Sequence, residues 1–200
     1  MSTLTKHRII ERLQSSIRRL VVTPILSPQQ IGAISVDVRL ANQFLVFRVH
    51  QLGEYDPYEA PPEAIHRIQE RQVVKYGAKF VLHPGMLALG ATFEYVKLPE
   101  DLECQVEGRS SWARVGLQVA TATSVEPGFK GSITLELSNV GRTPLILRPG
   151  QRIAQLVFRD ALPGDIAAYG PEKKYQCAVG PEFSRLGRDE DGRAFIHCVS

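Results

Sequence analysis

Hydrophobic positions recur along the chain with two different periods. In the first twenty residues, Ile9, Ile10, Leu13, Ile17 and Leu20 fall three or four apart, as on one face of a helix. Thr5 stands where an N-cap belongs, so the spacing predicts a helix from Lys6 to about Leu20. Arg8, Arg12, Arg18 and Arg19 fall on its other side. The plain reading of these is a solvated face, the sharper one a polyanion site. Beyond this helix the period shortens to two. Val36-Asp-Val-Arg-Leu40 alternates, and Phe44 to Phe47 continues as an apolar run. Further on, Leu87, Leu89, Ala91 and Phe93 alternate, as do Val115, Leu117 and Val119, then Ile133, Leu135 and Leu137. Phe80 to Leu82, Leu145 to Leu147 and Ile153 to Phe158 add short apolar runs. Alternation of this kind, cut by turns, predicts strands.

Turns are marked by Pro-Gly at 84–85, 127–128, 149–150 and 163–164. Such a pair presets φ at one turn position and permits positive φ at the next. Many short strands with these turns predict an all-β fold with a few short helices, arranged as a sandwich or barrel. Residues from about 51 to 72 are polar and hold Pro57, Pro61 and Pro62. They read as a surface insertion with one short helix near 62–71, proline at its first turn. From about 162 to 200 the chain is polar and irregular, a tail that a ligand or neighbouring subunit could order. No repeat or linker divides the chain, so residues 1–200 are expected to form a single domain.

Composition narrows the classes further. The chain has 200 residues, 44% hydrophobic and 22% charged, enough to bury a core without disulfide or metal staples. Its net charge of +3 announces neither a nucleic-acid nor a membrane partner. Cys104, Cys177 and Cys198 are odd in number and lack C-x-x-C spacing, which suits a reduced, cytoplasmic setting. There is no apolar leader and no apolar run near 18 residues, so no targeting or spanning segment is expected. Glycine-rich phosphate loops, the G-x-S-x-G elbow and the zinc-deaminase signature are all absent. The five histidines are scattered, so no zinc site is expected.

Two segments carry candidate chemistry. Residues 108–114 read Gly-Arg-Ser-Ser-Trp-Ala-Arg. Guanidinium forks suit phosphate oxygens, and small hydroxyl residues let a backbone approach them. A surface turn leading into a strand would look the same. Residues 126–139 read Glu-Pro-Gly-Phe-Lys-Gly-Ser-Ile-Thr-Leu-Glu-Leu-Ser-Asn. Period two puts Ile133, Leu135 and Leu137 on one face, and Thr134, Glu136 and Ser138 on the other. Glu136 is then either a solvated strand carboxylate or a general acid/base whose pKa rises in a water-poor pocket.

Read in order, these motifs resemble the dCTP deaminase family of the dUTPase-like superfamily. The matching runs are 108–117, 126–139 and Pro149-Gly-Gln-Arg-Ile-Ala-Gln-Leu156. Ser35 to Leu40, Leu82 to Pro99, Lys174-Tyr-Gln176 and Gly180-Pro181 match as well. The resemblance covers about residues 30–185 and is weakest near 51–72. It implies a distorted β-barrel or jelly-roll-like fold and a homotrimer with shared sites. The implied reaction is zinc-independent hydrolysis of dCTP to dUTP and ammonia, with Mg²⁺ carried by the triphosphate and dTTP as an inhibitor. A bifunctional enzyme giving dUMP and pyrophosphate, or a non-catalytic nucleotide sensor, are the alternatives on the same fold. By resemblance Glu136 is the catalytic carboxylate, while Ser110 and Arg114 position the water and stabilise charge. Arg109 and Ser111 match phosphate contacts. Ala122, Thr134 and Leu135 match backbone contacts, and Gln155, Tyr169 and Lys174 further nucleotide contacts. The tail residues are expected to reach in from a neighbour.

The chain departs from the family pattern at three places. Glu126 stands where Asp is usual, facing the sugar. The stretch Leu117 to Ala122 is one residue short and lacks a common His. Ala178 stands where a phosphate-binding Gln is expected, with Gln176 the nearest substitute.

Overall fold

The computed structural model describes residues 2–48, 54–120, 124–161, 169–170, 172–186 and 194. The expected β architecture is present. Early in the chain come β1 (Val21–Thr23), β2 (Ser35–Arg39), β3 (Gln43–Phe47) and β4 (Gln69–Val73). Next are β5 (Phe80–Leu82), β6 (Leu87–Ala91), β7 (Tyr95–Lys97) and β8 (Leu102–Gly108). Then follow β9 (Leu117–Ala120), β10 (Ser124–Val125), β11 (Lys130–Gly131) and β12 (Thr134–Asn139). The last are β13 (Leu145–Leu147) and β14 (Arg152–Asp160). Among the described residues, three short α-helices with defined bounds join them: α1 (Lys6–Gln14), α2 (Ile65–Ile68) and α3 (Ser110–Ala113).

The largest sheet runs β4-β3-β6-β12-β9, and a second runs β10-β8-β14-β2. Smaller sheets, β1-β7-β11 and β13-β5, complete a distorted barrel whose sheets do not close into one ring. All the named strand pairs are antiparallel. One hydrophobic cluster joins the sheets: Val36 and Val38 of β2, Phe44 of β3, Leu135 and Leu137 of β12, and Leu156 and Phe158 of β14. Phe44 and Phe80 stack inside it, ring centroids 4.1 Å apart. Gly85, Gly128 and Gly150 have φ of +74°, +86° and +89°, as the Pro-Gly pattern requires. Gly164 lies outside the described residues.

Two expectations need correction. The first helix ends at Gln14, not near Leu20. Ser15 is already extended and its Oγ accepts a hydrogen bond from the Ile17 N–H, giving the backbone a non-helical partner. Arg18 then takes a positive φ, which returns Leu20 to the core and leaves Ile17 on the surface. The described part of the expected insertion is exposed or half-buried from residue 54 to 61. Its short helix is present as α2, but the chain then becomes β4 and pairs with β3 from Gln69↔Phe47 to Val73↔Gln43. Its polar composition hid this pairing, because β4 is an edge strand exposed from Arg71 to Val73.

The helix α1 is tied to the barrel by a two-pronged ion pair. Arg12 donates to both carboxylate oxygens of Asp101, at 3.1 and 2.6 Å. Burial pushes the Asp101 carboxyl up, but the Arg12 hydrogen bonds and charge outweigh it and hold it below its ordinary value. The Asp101→Asn variant should lose about 1–2 kcal/mol of stability at neutral pH. A group with a depressed folded pKa contributes above its unfolded pKa and loses that contribution as pH falls through the folded one. Thermal melts should therefore show the gap between variant and parent closing on acidification below the usual carboxylate range.

Candidate active site

The chemistry begins with the two faces of β12. Leu135 and Leu137 are wholly buried in the core, while Thr134, Glu136 and Ser138 are half-buried on the opposite face. That face borders a cavity of about 560 Å³. Glu136 stands across from Leu89 of β6 and Ala120 of β9, and Leu89 lines the same cavity. Burial raises the Glu136 carboxyl above its ordinary value, opposed by a hydrogen bond to its own backbone N–H. A carboxyl tuned upward in a largely apolar pocket accepts a proton more readily than a solvated one and can return it.

The cavity is built from both ends of the chain. Phe47, Tyr55, Ile65 and Ile68 form an apolar wall, supplied by β3, α2 and the segment before α2. Sequence reasoning assigned none of these to the site; their signal was the apolar Ile65 and Ile68 pair inside a polar stretch. Gln69 lines this wall too. Its side chain is almost fully buried, and its Oε1 has no hydrogen-bond partner. The opposite wall comes from Phe129 and from the tail residues Tyr169, Tyr175, Ala178, Glu182 and Ser184. The Tyr169 N–H donates to Pro127 O at 2.8 Å, and its ring meets Phe129 edge-on, centroids 5.8 Å apart.

The structure sorts the sequence-predicted residues into two groups. Glu136, Thr134, Glu126 and Tyr169 share the cavity. Leu135 has its side chain in the core, so only its backbone can face a ligand. Ala122 lies outside the described residues. Arg109, Ser110, Ser111 and Arg114 cluster on and beside α3, and none of them lines the cavity of the same chain. Ser110, Ser111 and Arg114 are exposed. Trp112 anchors the helix, its Nε1–H donating to Arg152 O at 2.9 Å. Asp37 lies 3.7 Å from Arg109 and 3.3 Å from Arg152. Gln155 pairs in register with Asp37 across β14 and β2, so it belongs with this second group.

The tail packs on its own barrel. Tyr169 lines the cavity that holds Glu136 of the same chain. Lys174 is half-buried in the tail but does not line the cavity. Gln176 is already engaged: its Oε1 accepts from the Lys130 N–H, and its Nε2 donates to Gly128 O and Tyr169 O. It fastens the tail to β11 and is not a free phosphate ligand. Ala178, where a Gln was expected, is buried against Gly131 in a parallel bridge.

Among the described residues, no three His, Cys, Asp or Glu side chains converge as a metal cage. No helix among them is long and apolar enough to cross a membrane.

Comparison with known proteins adds to this geometry. A family model described as dCTP deaminase-like matches residues 3–161. A curated relative from Methanobrevibacter smithii, named "dCTP deaminase, dUMP-forming", is 42% identical over 193 residues, covering 94% of this chain and 97% of its own. One from Halorubrum lacusprofundi, named "dCTP deaminase", is 42% identical over 187 residues, covering 92% and 90%. A solved 2′-deoxycytidine 5′-triphosphate deaminase from Agrobacterium tumefaciens shares the fold, with a TM-score of 0.59 and 23% identity. The match covers 80% of this chain and 48% of that one, so the chain spans about half that protein's length.

Partial burial disfavours the charged form of Glu136, so its raised pKa carries a stability cost wherever the carboxylate is ionised. Replacement by the neutral isostere, Glu136→Gln, should raise Tm at neutral pH. A group whose folded pKa is raised by burial binds its proton more tightly when folded, so stability falls as pH rises through that window. The Tm gain of Glu136→Gln should therefore be full above the raised pKa and shrink on acidification, as read by melts from pH 4 to 8 (roughly the range spanned by carboxyl pKa values).

Proposed function

The chain belongs to the dCTP deaminase-like family, and from that membership we propose that it deaminates dCTP by hydrolysis, with Glu136 as the proton-transferring group. The observation that carries this is a half-buried carboxyl, tuned upward by burial, in a cavity of nucleotide-admitting size. Glu136 takes a proton from a water as its oxygen attacks C4 of cytosine. The same carboxyl delivers that proton to the base nitrogen N3, then takes the second water proton from the new C4 hydroxyl and passes it to the amine as the C4–N4 bond breaks and the C4=O bond forms. Water and dCTP are consumed; dUTP and ammonia leave. One carboxyl that accepts and then donates performs both steps.

Charge decides where the rest of the site comes from. Among the described residues, the cavity lining holds Glu126, Glu136 and Glu182 but no lysine or arginine. A triphosphate cannot be held by carboxylates alone. Ser110 and Ser111 stand on α3 and Arg109 and Arg114 flank it, all outside that cavity. The arrangement is satisfied if the α3 of a neighbouring protomer closes the cavity, as in a homotrimer with shared sites. There Arg109 and Ser111 hold phosphates, while Ser110 and Arg114 orient the water and stabilise developing charge. Mg²⁺ then accompanies the triphosphate as its counterion.

A second reading is that dUTP is carried on to dUMP and pyrophosphate in the same cavity. It is supported by the dUMP-forming relative and by Glu126, a second carboxylate that lines the same cavity as Glu136.

Incubation with dCTP and Mg²⁺, followed by mass spectrometry, should give ammonia together with dUTP or dUMP; pyrophosphate release marks the second. A folded protein yielding neither uracil nucleotide rules the proposal out. Glu136→Gln should lower turnover by roughly 10²–10⁴-fold while still binding dCTP. Shared sites make a further prediction. Glu136→Gln and Arg114→Ala, each inactive alone, should regain about one quarter of parental activity when refolded together as equal mixtures, the fraction of intact interfaces in a random cyclic trimer.

A further inference from the structure

The family resemblance is weakest where α2 and β4 lie, yet that region grips the tail directly over the catalytic strand. Arg71 of β4 occupies one end of a cross-strand row that continues through Leu45 and Leu89 to Glu136. Three strand spacings, roughly 14 Å, separate the two ends. The long Arg71 side chain turns back across this face. Its Nη1 donates to Gln43 Oε1 at 2.7 Å and its Nη2 donates to Pro181 O at 3.1 Å. The N–H of the same peptide group, on Glu182, donates to Thr134 Oγ1 at 3.4 Å. A single peptide unit of the tail is thus held from one side by β4 and from the other by β12, two residues from Glu136.

The neighbouring tail residues reinforce the grip. The Arg71 guanidinium lies 5.6 Å from the centre of the Phe183 ring, and His66 of α2 meets that ring edge-on at 4.3 Å. Gly180, at φ +93°, packs so closely on Gln43 that a Cβ there would sit 3.0 Å from its Oε1. Glu182 and Ser184, which flank Phe183, both line the cavity. Glu182 is in turn paired with Arg185 at 3.0 Å.

We propose that Arg71 is a positioning residue for the reaction. It fixes the Pro181–Glu182 peptide on the catalytic strand, so that the tail completes the cavity around the substrate. The inference rests on the deaminase reading for its kinetic part only. When the latch is weakened, the tail is docked in a smaller fraction of molecules, and apparent substrate affinity falls by that fraction. Saturating substrate restores docking, so the turnover number is preserved. The loss therefore belongs in KM and not in kcat.

The test compares the parent with Arg71→Met, Arg71→Lys and Phe183→Ala. Limited trypsin digestion, mapped by mass spectrometry, should show faster cutting after Lys173, Lys174 or Arg185 in Arg71→Met and Phe183→Ala. Their KM for dCTP should rise roughly tenfold, the combined worth of an exposed cation–π contact and a hydrogen bond, with kcat within about twofold of the parent. Arg71→Lys should fall between, since an ammonium cannot bridge Gln43, Pro181 and the ring together. The double variant should add little to either single change. An unchanged KM in Arg71→Met overturns the proposal. If Arg71→Met does not fold, Phe183→Ala decides from the tail side, with an unchanged KM again overturning it. If the parent does not turn over dCTP, the deaminase reading fails instead. The latch is then judged on digestion alone, and parental cutting rates in the variants overturn it.

Discussion

The register of β12 is the constraint on which the rest depends. This strand must bury Leu135 and Leu137 in the core while presenting Thr134 and Glu136 to the cavity. Slipping its pairing by one residue would send the carboxylate into the core and the leucines into the cavity. Both ends of the strand are pinned. At its start, the Ile133 N–H donates to Thr92 Oγ1, and that hydroxyl donates to Glu94 O. Glu94 is itself buried, fixed by Arg39 and Gln30. At its end, the Asn139 side chain donates to Leu82 O and Thr143 O and accepts from the Gly141 N–H. In between, Gly90 of β6 leaves just enough room for Leu137: a Cβ there would come within 3.1 Å of it. Buried hydrogen bonds and close packing specify one register, and the register places the carboxylate.

This explains what could be read from the sequence and what could not. The alternation of Ile133, Leu135 and Leu137 is a local pattern, so the two faces of β12 and the place of Glu136 were legible. The Pro-Gly turns were legible for the same reason. Residues 102–108 carry an equally clear alternation, Leu102, Cys104 and Val106, and form β8 just ahead of the arginine and serine run. The single turn of α3 was seen only as a run of chemistry, because four residues show no helical period. The partners of β4 were not legible at all. Gln69 to Val73 is polar, and its assignment comes from pairing with β3, a contact that composition does not encode.

The tail shows the same limit from the other direction. Its sequence is irregular, and Tyr169 and Lys174 stood out only through resemblance. The structure shows the residues that fasten it: Gln176 to Gly128 and Lys130, Cys177 to Lys130, Ala178 to Ser132, and the 181–182 peptide to Thr134 and Arg71. Most of these bonds use backbone atoms, which every residue has. No side-chain pattern could have announced them.

The small net charge conceals a division of labour. Carboxylates gather in the cavity, where Glu126, Glu136 and Glu182 face one another's space. Guanidinium groups gather beside α3, where Arg109 and Arg152 share the single carboxylate of Asp37. Two cations against one anion leave positive charge at that surface. Were the arginines in the same cavity as Glu136, their field would favour the ionised carboxylate and cancel the effect of burial. Separation keeps the free carboxyl tuned upward. In the shared-site reading proposed above, the arginines meet it only when a second protomer and a polyanionic substrate come together with the cavity, and the substrate's own phosphates then screen their charge from Glu136. An acid/base group and a phosphate site place opposite demands on local potential, and splitting them between two surfaces satisfies both.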